Sequence, residues 1–181
     1  VLDYYENYQF NSITSELTNF FNVELSSFYL DYGKDILYIE DEDSPKRRSM
    51  LTVLYAILSK SVRLFAPILS FTAEEIYDNM PYEDAESVHL LDFPEKNVIE
   101  DAVLEAKWDK LLEVRDDVNK ALEESRNEKV IGKSLEAAVE IYSNDSEVVE
   151  LLNSVDNLHQ LFIVSSVEVK ENDGATYDLA T

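Results

Sequence analysis

Punctuation is the tightest constraint on this chain. Only 3 glycines and 4 prolines occur in 181 residues. A chain with so few residues that turn sharply or break hydrogen-bond ladders is predicted to form long helices. The apolar pattern agrees. Tyr5, Tyr8, Ile13, Leu17, Phe20 and Phe21 recur at helical spacing over Leu2 to about Phe21, and three- and four-residue steps put such residues on one helix face. Asn22 interrupts the stripe, and Leu25, Phe28, Tyr29, Tyr32 and Ile36 resume it over Val23 to Leu37, with Gly33 inside. After the acidic run Glu40–Asp43, Ser44-Pro45 has the form of a helix start, Ser as N-cap and Pro at the first helical position. The helix it opens is expected to reach Phe65, with Leu51, Leu54, Tyr55, Leu58, Val62 and Phe65 inward. Pro67 ends it. Thr72-Ala73-Glu74-Glu75 has the spacing of a capping box for a short helix to Met80, which Pro81 stops.

The texture changes beyond that point. Ser87 to Pro94 reads as extended or loop-like, and a domain boundary is expected near Pro94. A long helix follows from about Asp101 to Arg126, with Leu104, Trp108, Leu111, Leu112, Val118 and Leu122 inward. Ala137–Tyr142 and Leu161–Val169 are rich in β-branched and apolar residues and read as strands, with a short helix between them over Ser146–Leu152. The fold class expected is mainly α: a helical bundle over residues 1–94, then residues 95–181 as a long helix plus a small α/β region.

Charge narrows the function. With 15 Lys+Arg against 38 Asp+Glu, the net charge is −23, which disfavours whole-surface binding to nucleic acid, DNA included, or to anionic membranes. Both halves are acidic, yet each holds an exception. Ser44 to Ala73 carries Lys46, Arg47, Arg48, Lys60 and Arg63 and no acid, and Lys107 to Lys133 carries seven residues of each sign. Such stretches are local places where phosphate can approach; periodicity alone favours the plainer reading, solvated faces paired with neighbouring acids. Lys60 and Arg63 inside the apolar segment 50–71 argue against a membrane span. Catalytic signatures are missing. There is no cysteine, no Gly-rich phosphate loop and no Gly-x-Ser-x-Gly. Glu40–Asp43 lacks the spacing of a calcium loop, and His89 and His159 stand in no ligand pattern. No catalytic residue and no metal ligand is assigned.

Taken in order, VELSSFYLDYGKDILY (23–38), RRSMLTVLY (47–55), RLFAPILSFTAEEI (63–76), SVHL (87–90), WDKLLEVRDDVNKAL (108–122) and KVIGKSLEA (129–137) resemble the C-terminal part of the bacterial isoleucine–tRNA ligases. The resemblance covers most of residues 1 to about 143. It implies an anticodon-binding helical bundle of the class I aminoacyl-tRNA synthetases followed by a C-terminal junction region, binding the isoleucine tRNA in the cytoplasm. In that family the reaction joins L-isoleucine to tRNA with ATP and Mg²⁺ in an upstream catalytic domain. The HIGH-like and KMSKS-like signatures of that domain are absent here, as is the editing domain; Gly132-Lys133-Ser134 is not the second signature. The chain does not begin with Met and is expected to be a piece of a longer protein. Family members often continue into a cysteine-rich zinc module, none of which is expected in this cysteine-free sequence.

The resemblance makes the exposed cations the candidates for tRNA contact: Lys46, Arg47, Arg48, Lys60 and Arg63 on the first acid-free helix, and Lys129 and Lys133 in the junction motif. Arg47 and Arg48 are equally read as structural partners of the acidic run. Lys34, Arg115, Lys120 and Arg126 are lesser candidates. Two alternatives stand beside this reading: the same module from a valine or leucine ligase, and a helical protein-interaction module using an exposed apolar face around Leu51 to Phe65.

Overall fold

A computed structural model of the chain describes residues 1–81, 85–96 and 101–171. Among the described residues helices dominate, with one two-stranded sheet, so the fold class is mainly α with a small α/β part. The chain divides into two compact units, Val1–Val98 and Ile99–Thr181.

In the first unit the expected Leu2–Phe21 helix is two helices, α1 (Leu2–Glu6) and α2 (Phe10–Asn19). Tyr8 adopts a left-handed backbone, φ 57°, a conformation in which a helix cannot continue. The break lets Tyr5 turn inward, where its hydroxyl donates to the Leu64 carbonyl at 2.6 Å and its ring lies 4.9 Å from that of Phe93. Burial raises the Tyr5 phenol above its ordinary pKa. Asn22 does not break the chain. It lies inside a π-helical segment, Phe20–Leu30, that joins α2 to α3 (Asp31–Tyr38). Wider i→i+5 turns shift the angular phase of later side chains, which is why the two apolar stripes read as separate helices.

Gly33 is set by packing. A Cβ there would collide with Met50 Cε on α4 (Pro45–Phe65). This contact helps fix the roll of α4. Its buried residues are Met50, Ser61, Val62 and Phe65, whereas Leu51 and Leu58 of the expected stripe are 47% and 37% exposed. Ser44 is the N-cap by backbone position, but its side chain makes no capping bond. Helix α5 (Ser70–Asp78) starts ahead of the expected box, at N-cap Leu69, so Thr72 is inside the helix and no capping box forms. Glu74 is used differently. Its Oε2 accepts from Ser87 Oγ at 2.9 Å and from the Val88 N–H at 3.0 Å, holding the 3-10 turn Val88–Leu90. The core here is Val62, Phe65, Ala66, Ala73, Tyr77, Met80 and Val88.

The second unit is built on α6 (Ala102–Asn127), capped by the Asp101 carboxylate, which accepts from the Leu104 N–H at 3.0 Å. Leu111, Val118 and Leu122 are buried, but Leu104 and Trp108 are 51% and 39% exposed. The inward face therefore begins one to two turns later than expected. Two short helices cover it, α7 (Ser146–Asn153) and α8 (Leu158–Phe162). Strands β1 (Ala138–Tyr142) and β2 (Ser166–Lys170) pair in parallel, Ala138 opposite Ser166 and Tyr142 opposite Lys170, with α7 and α8 in the crossover. The second strand expected at Leu161 is thus shorter. Leu158, Leu161 and Phe162 are buried at helical spacing in α8, and Ile163, at φ 55°, stops that helix. A short apolar run does not distinguish a strand from a buried helix turn by periodicity.

Candidate nucleic-acid interface

The acid-free stretch forms α4 and the turn after it. At 3.6 residues per turn, Lys46, Lys60, Arg63 and Arg48 follow one another around the helix, in that order, within an arc of about 160°. The rise from Lys46 to Lys60 is about 21 Å. Lys46, Arg48 and Lys60 are exposed, as are Ser49, Thr52, Val53 and Ala56, which fall inside the same arc. The result is an outward strip of small side chains with two cations toward each end. Among the described residues, none of Lys46, Arg47, Arg48, Lys60 and Arg63 forms a salt bridge. Arg63 is held along its own helix by Nε donating to the Ser59 carbonyl at 3.0 Å, which leaves the rest of its guanidinium fork to other acceptors.

Arg47 is separated from this group. It is half-buried, and its Nη1 donates to the Glu40 carbonyl at 3.1 Å. It sits on the angular side of α4 that carries Met50 and Leu54, and ties the start of α4 to the acidic run through backbone, not through a carboxylate. Arg48 makes no such bond among the described residues; its carbonyl accepts from Thr52 Oγ1 at 2.8 Å.

Lys129 and Lys133 belong to the other unit, in the turn that follows α6. The helix ends with the Val130 N–H donating to the Ser125 carbonyl at 2.9 Å and the Lys129 N–H to the Arg126 carbonyl at 3.1 Å. This is a Schellman ending, and Lys129 fills its left-handed position at φ 61°. Glu136 closes the turn: its Oε2 accepts from the Gly132 N–H at 2.8 Å and the Lys133 N–H at 3.3 Å. Arg126 Nη2 donates to Ser134 Oγ at 2.9 Å. Both lysines are exposed and neither forms a salt bridge among the described residues. Periodicity gives no reason to single out Glu136; the one signal for it is an acid three residues after Lys133, the spacing at which a side chain reaches back to its own turn.

The lesser candidates are largely engaged. Lys34 pairs with Asp31 one turn earlier, which raises the Lys34 ammonium above its ordinary value. Arg115 Nε donates to the Leu161 carbonyl at 3.3 Å, and Arg126 serves the turn. The strands carry a separate cluster in which Lys170 Nζ lies 2.8 Å from Glu140 and 3.2 Å from Glu168. Hydrogen bonds to these two carboxylates raise the Lys170 ammonium, and the same lysine, with Tyr142, lowers Glu140. Among the described residues no group of three or more His, Asp or Glu is arranged to hold a metal ion. No helix among them is long and apolar enough to cross a membrane.

Similarity to known proteins is extensive. A family profile described as the anticodon-binding domain of tRNA ligase matches residues 1–141. The chain is 56% identical over 180 residues to the isoleucine–tRNA ligase of Staphylococcus carnosus (strain TM300), covering 98% of this chain and 20% of that protein. It is 58% identical over 175 residues to that of Staphylococcus aureus (strain JH9), covering 95% and 19%. To that of Macrococcus caseolyticus (strain JCSC5402) it is 54% identical over 178 residues, covering 98% and 19%. The chain thus spans about a fifth of the length of these relatives.

Proposed function

The chain belongs to the family of anticodon-binding domains of tRNA ligases, and from that premise we propose that it is the tRNA-gripping part of an isoleucine–tRNA ligase. Residues 1–94 act as the anticodon-binding bundle and residues 95–181 as the junction region. The parent protein attaches L-isoleucine to its tRNA in the cytoplasm with ATP and Mg²⁺. That chemistry, the editing step and any zinc module belong to other parts of the parent; this part binds and orients.

The observation that supports the reading best is the outward strip of α4. An acidic protein repels RNA over most of its surface, so binding needs a place where several cations stand free of acids. Lys46, Arg48, Lys60 and Arg63 provide one. Their spacing along a rigid helix suits phosphates of one folded RNA contacted at two points, and the small side chains between them let a backbone lie close. Arg forks also stack on unpaired bases, the usual target of sequence-specific RNA recognition. Lys129 and Lys133 form a second, smaller contact. Arg47 acts mainly as a structural tie.

Titration of the 181-residue chain with isoleucine, valine and leucine tRNA transcripts at low salt tests the reading. Binding to all three through phosphates, with a preference for the isoleucine transcript, is expected. Equal affinity for an unrelated RNA hairpin would remove the anticodon from the account, and a preference for the valine or leucine transcript would move the chain to a sister ligase.

A further inference from the structure

The turn after α6 contains an apparent contradiction. Two lysines offered to phosphate are flanked by a glutamate, and one of the two occupies a backbone conformation that favours glycine. We propose that Glu136 is a positioning residue for RNA binding, holding the 129–133 turn so that Lys129 and Lys133 stand as a preformed phosphate-binding pair. This rests on the reading of the chain as a tRNA-binding domain.

Three features of the turn support this role. First, the Glu136 carboxylate is turned back into its own turn: one oxygen accepts from two successive backbone N–H groups, those of Gly132 and Lys133. Charge-assisted bonds of this kind are stronger than neutral ones, and they fix the backbone on which Lys133 is mounted. The approach is close. A Cβ on Gly132 would stand 3.2 Å from Glu136 Oε2, so the residue without a side chain is the one the carboxylate lies against. Second, Arg126 spans the turn to Ser134, tying the segment beyond Lys133 to the end of α6. Third, Lys129 sits where glycine is the ordinary choice, at φ 61°. A non-glycine residue in the left-handed region is strained, and the bonds that close this turn do not involve the Lys129 ammonium. A cation kept at a strained position in a closed turn, with no acid paired to it among the described residues, matches a binding role and not a folding role.

The consequence runs against simple electrostatics. If Glu136 were only a negative charge near an RNA site, any neutral replacement would tighten binding. If it positions the turn, the replacement's hydrogen-bonding ability decides. Glu136→Gln keeps an oxygen that accepts from both N–H groups and removes the charge. Glu136→Ala removes both.

The experiment compares the 181-residue chain and its Glu136→Gln, Glu136→Ala and Lys129→Gly variants, with two main readouts: amide hydrogen exchange at Gly132 and Lys133 without RNA, and affinity for the isoleucine tRNA transcript at low salt. Glu136→Ala is expected to speed exchange at both amides and to weaken binding about three- to tenfold, the cost of ordering mobile side chains on binding. Glu136→Gln should keep the protection and bind as tightly as the parent or more so. Lys129→Gly should raise the melting temperature, by relief of strain, while weakening binding. Unchanged exchange in Glu136→Ala, or affinity that rises equally in the Gln and Ala variants, overturns the positioning role. Absence of tRNA binding by the parent chain, with the exchange effect intact, instead overturns the functional reading on which it rests.

Discussion

The α4 strip and the 129–133 turn present cations in opposite ways. On α4 the helix itself sets the positions of Lys46, Arg48, Lys60 and Arg63: regular rise and rotation place them, and the residues between are small. In the turn, placement depends on particular side chains, the Glu136 carboxylate across two amides and the Arg126–Ser134 bond. On the proposed reading, the difference teaches where a phosphate-binding surface tolerates acids. Helix α4 has none, because nothing there needs a carboxylate to hold the backbone. In the turn Glu136 holds the backbone instead, one carboxylate oxygen accepting from two successive N–H groups.

Breaking the larger contact should have the largest effect. Neutralising Lys46, Arg48, Lys60 and Arg63 together to Gln is expected to lower tRNA affinity about a hundredfold at low salt. It should also flatten the salt dependence by about one unit of slope for each phosphate no longer neutralised. Far-ultraviolet circular dichroism should be unchanged, since none of the four is buried. The matching change in the turn, Lys129 and Lys133 to Gln, should cost less and flatten the slope by at most about two units.

A second way to sharpen the comparison is to disturb the packing that aims α4 without touching a cation. Gly33→Ala forces a Cβ into Met50 and is expected to cost about 1–3 kcal/mol, seen as a lower thermal midpoint. Adding Met50→Ala should make the double variant less destabilised than the sum of the singles, because the two share one contact. Glu74→Ala strands Ser87 Oγ and the Val88 N–H and should cost about 1–2 kcal/mol in the same assay.

The smallest expected effect is on the strands. Glu140 titrates below the usual carboxylate range because Lys170 and Tyr142 bond its charged form. A depressed folded-state pKa contributes stability that is present above the unfolded value and lost as pH falls through the folded one. Denaturation monitored between about pH 5 and pH 2 should therefore show a small acid loss in the parent chain that shrinks in Lys170→Met, the pair being exposed and screened.

Much of this molecule is legible in its sequence, for reasons that differ by region. Helix α4 runs from Pro45 to Phe65 as its Ser-Pro start and Pro67 stop require, and α6, α7 and β1 lie within about a residue of their patterns. The misses have several causes, among them backbone conformations and distant contacts that local signals do not carry. Tyr8 breaks the first helix, and with the chain turned there Tyr5 reaches Leu64. The Thr72 box gives way because the helix has already begun at Ser70 with Leu69 as its N-cap, and Glu74 turns to Ser87 and Val88. The interface divides similarly. Counting charges locates the α4 cations, and helical rotation puts four of them within one half of the helix surface. Rotation also sets Arg47 apart, on the side of Met50, but the Arg47 bond to the Glu40 carbonyl lies outside the helix pattern, and neither charge nor rotation singles out Glu136. The interaction-module alternative anticipates an exposed apolar face. Leu51, Val53 and Leu58 are indeed partly exposed, but the family match places this chain among the anticodon-binding domains instead.

If a protein of net charge −23 holds tRNA through an acid-free helix face, as proposed, that face must show in the salt dependence of binding. The most direct test is the affinity of the 181-residue chain for isoleucine tRNA across a salt series, for the parent and for the variant with Lys46, Arg48, Lys60 and Arg63 changed to Gln. Measurable binding at low salt that falls steeply as salt rises is expected of the parent, and far weaker binding with a flatter slope is expected of the variant. Parent and variant binding alike, with the same slope, would contradict the role of α4.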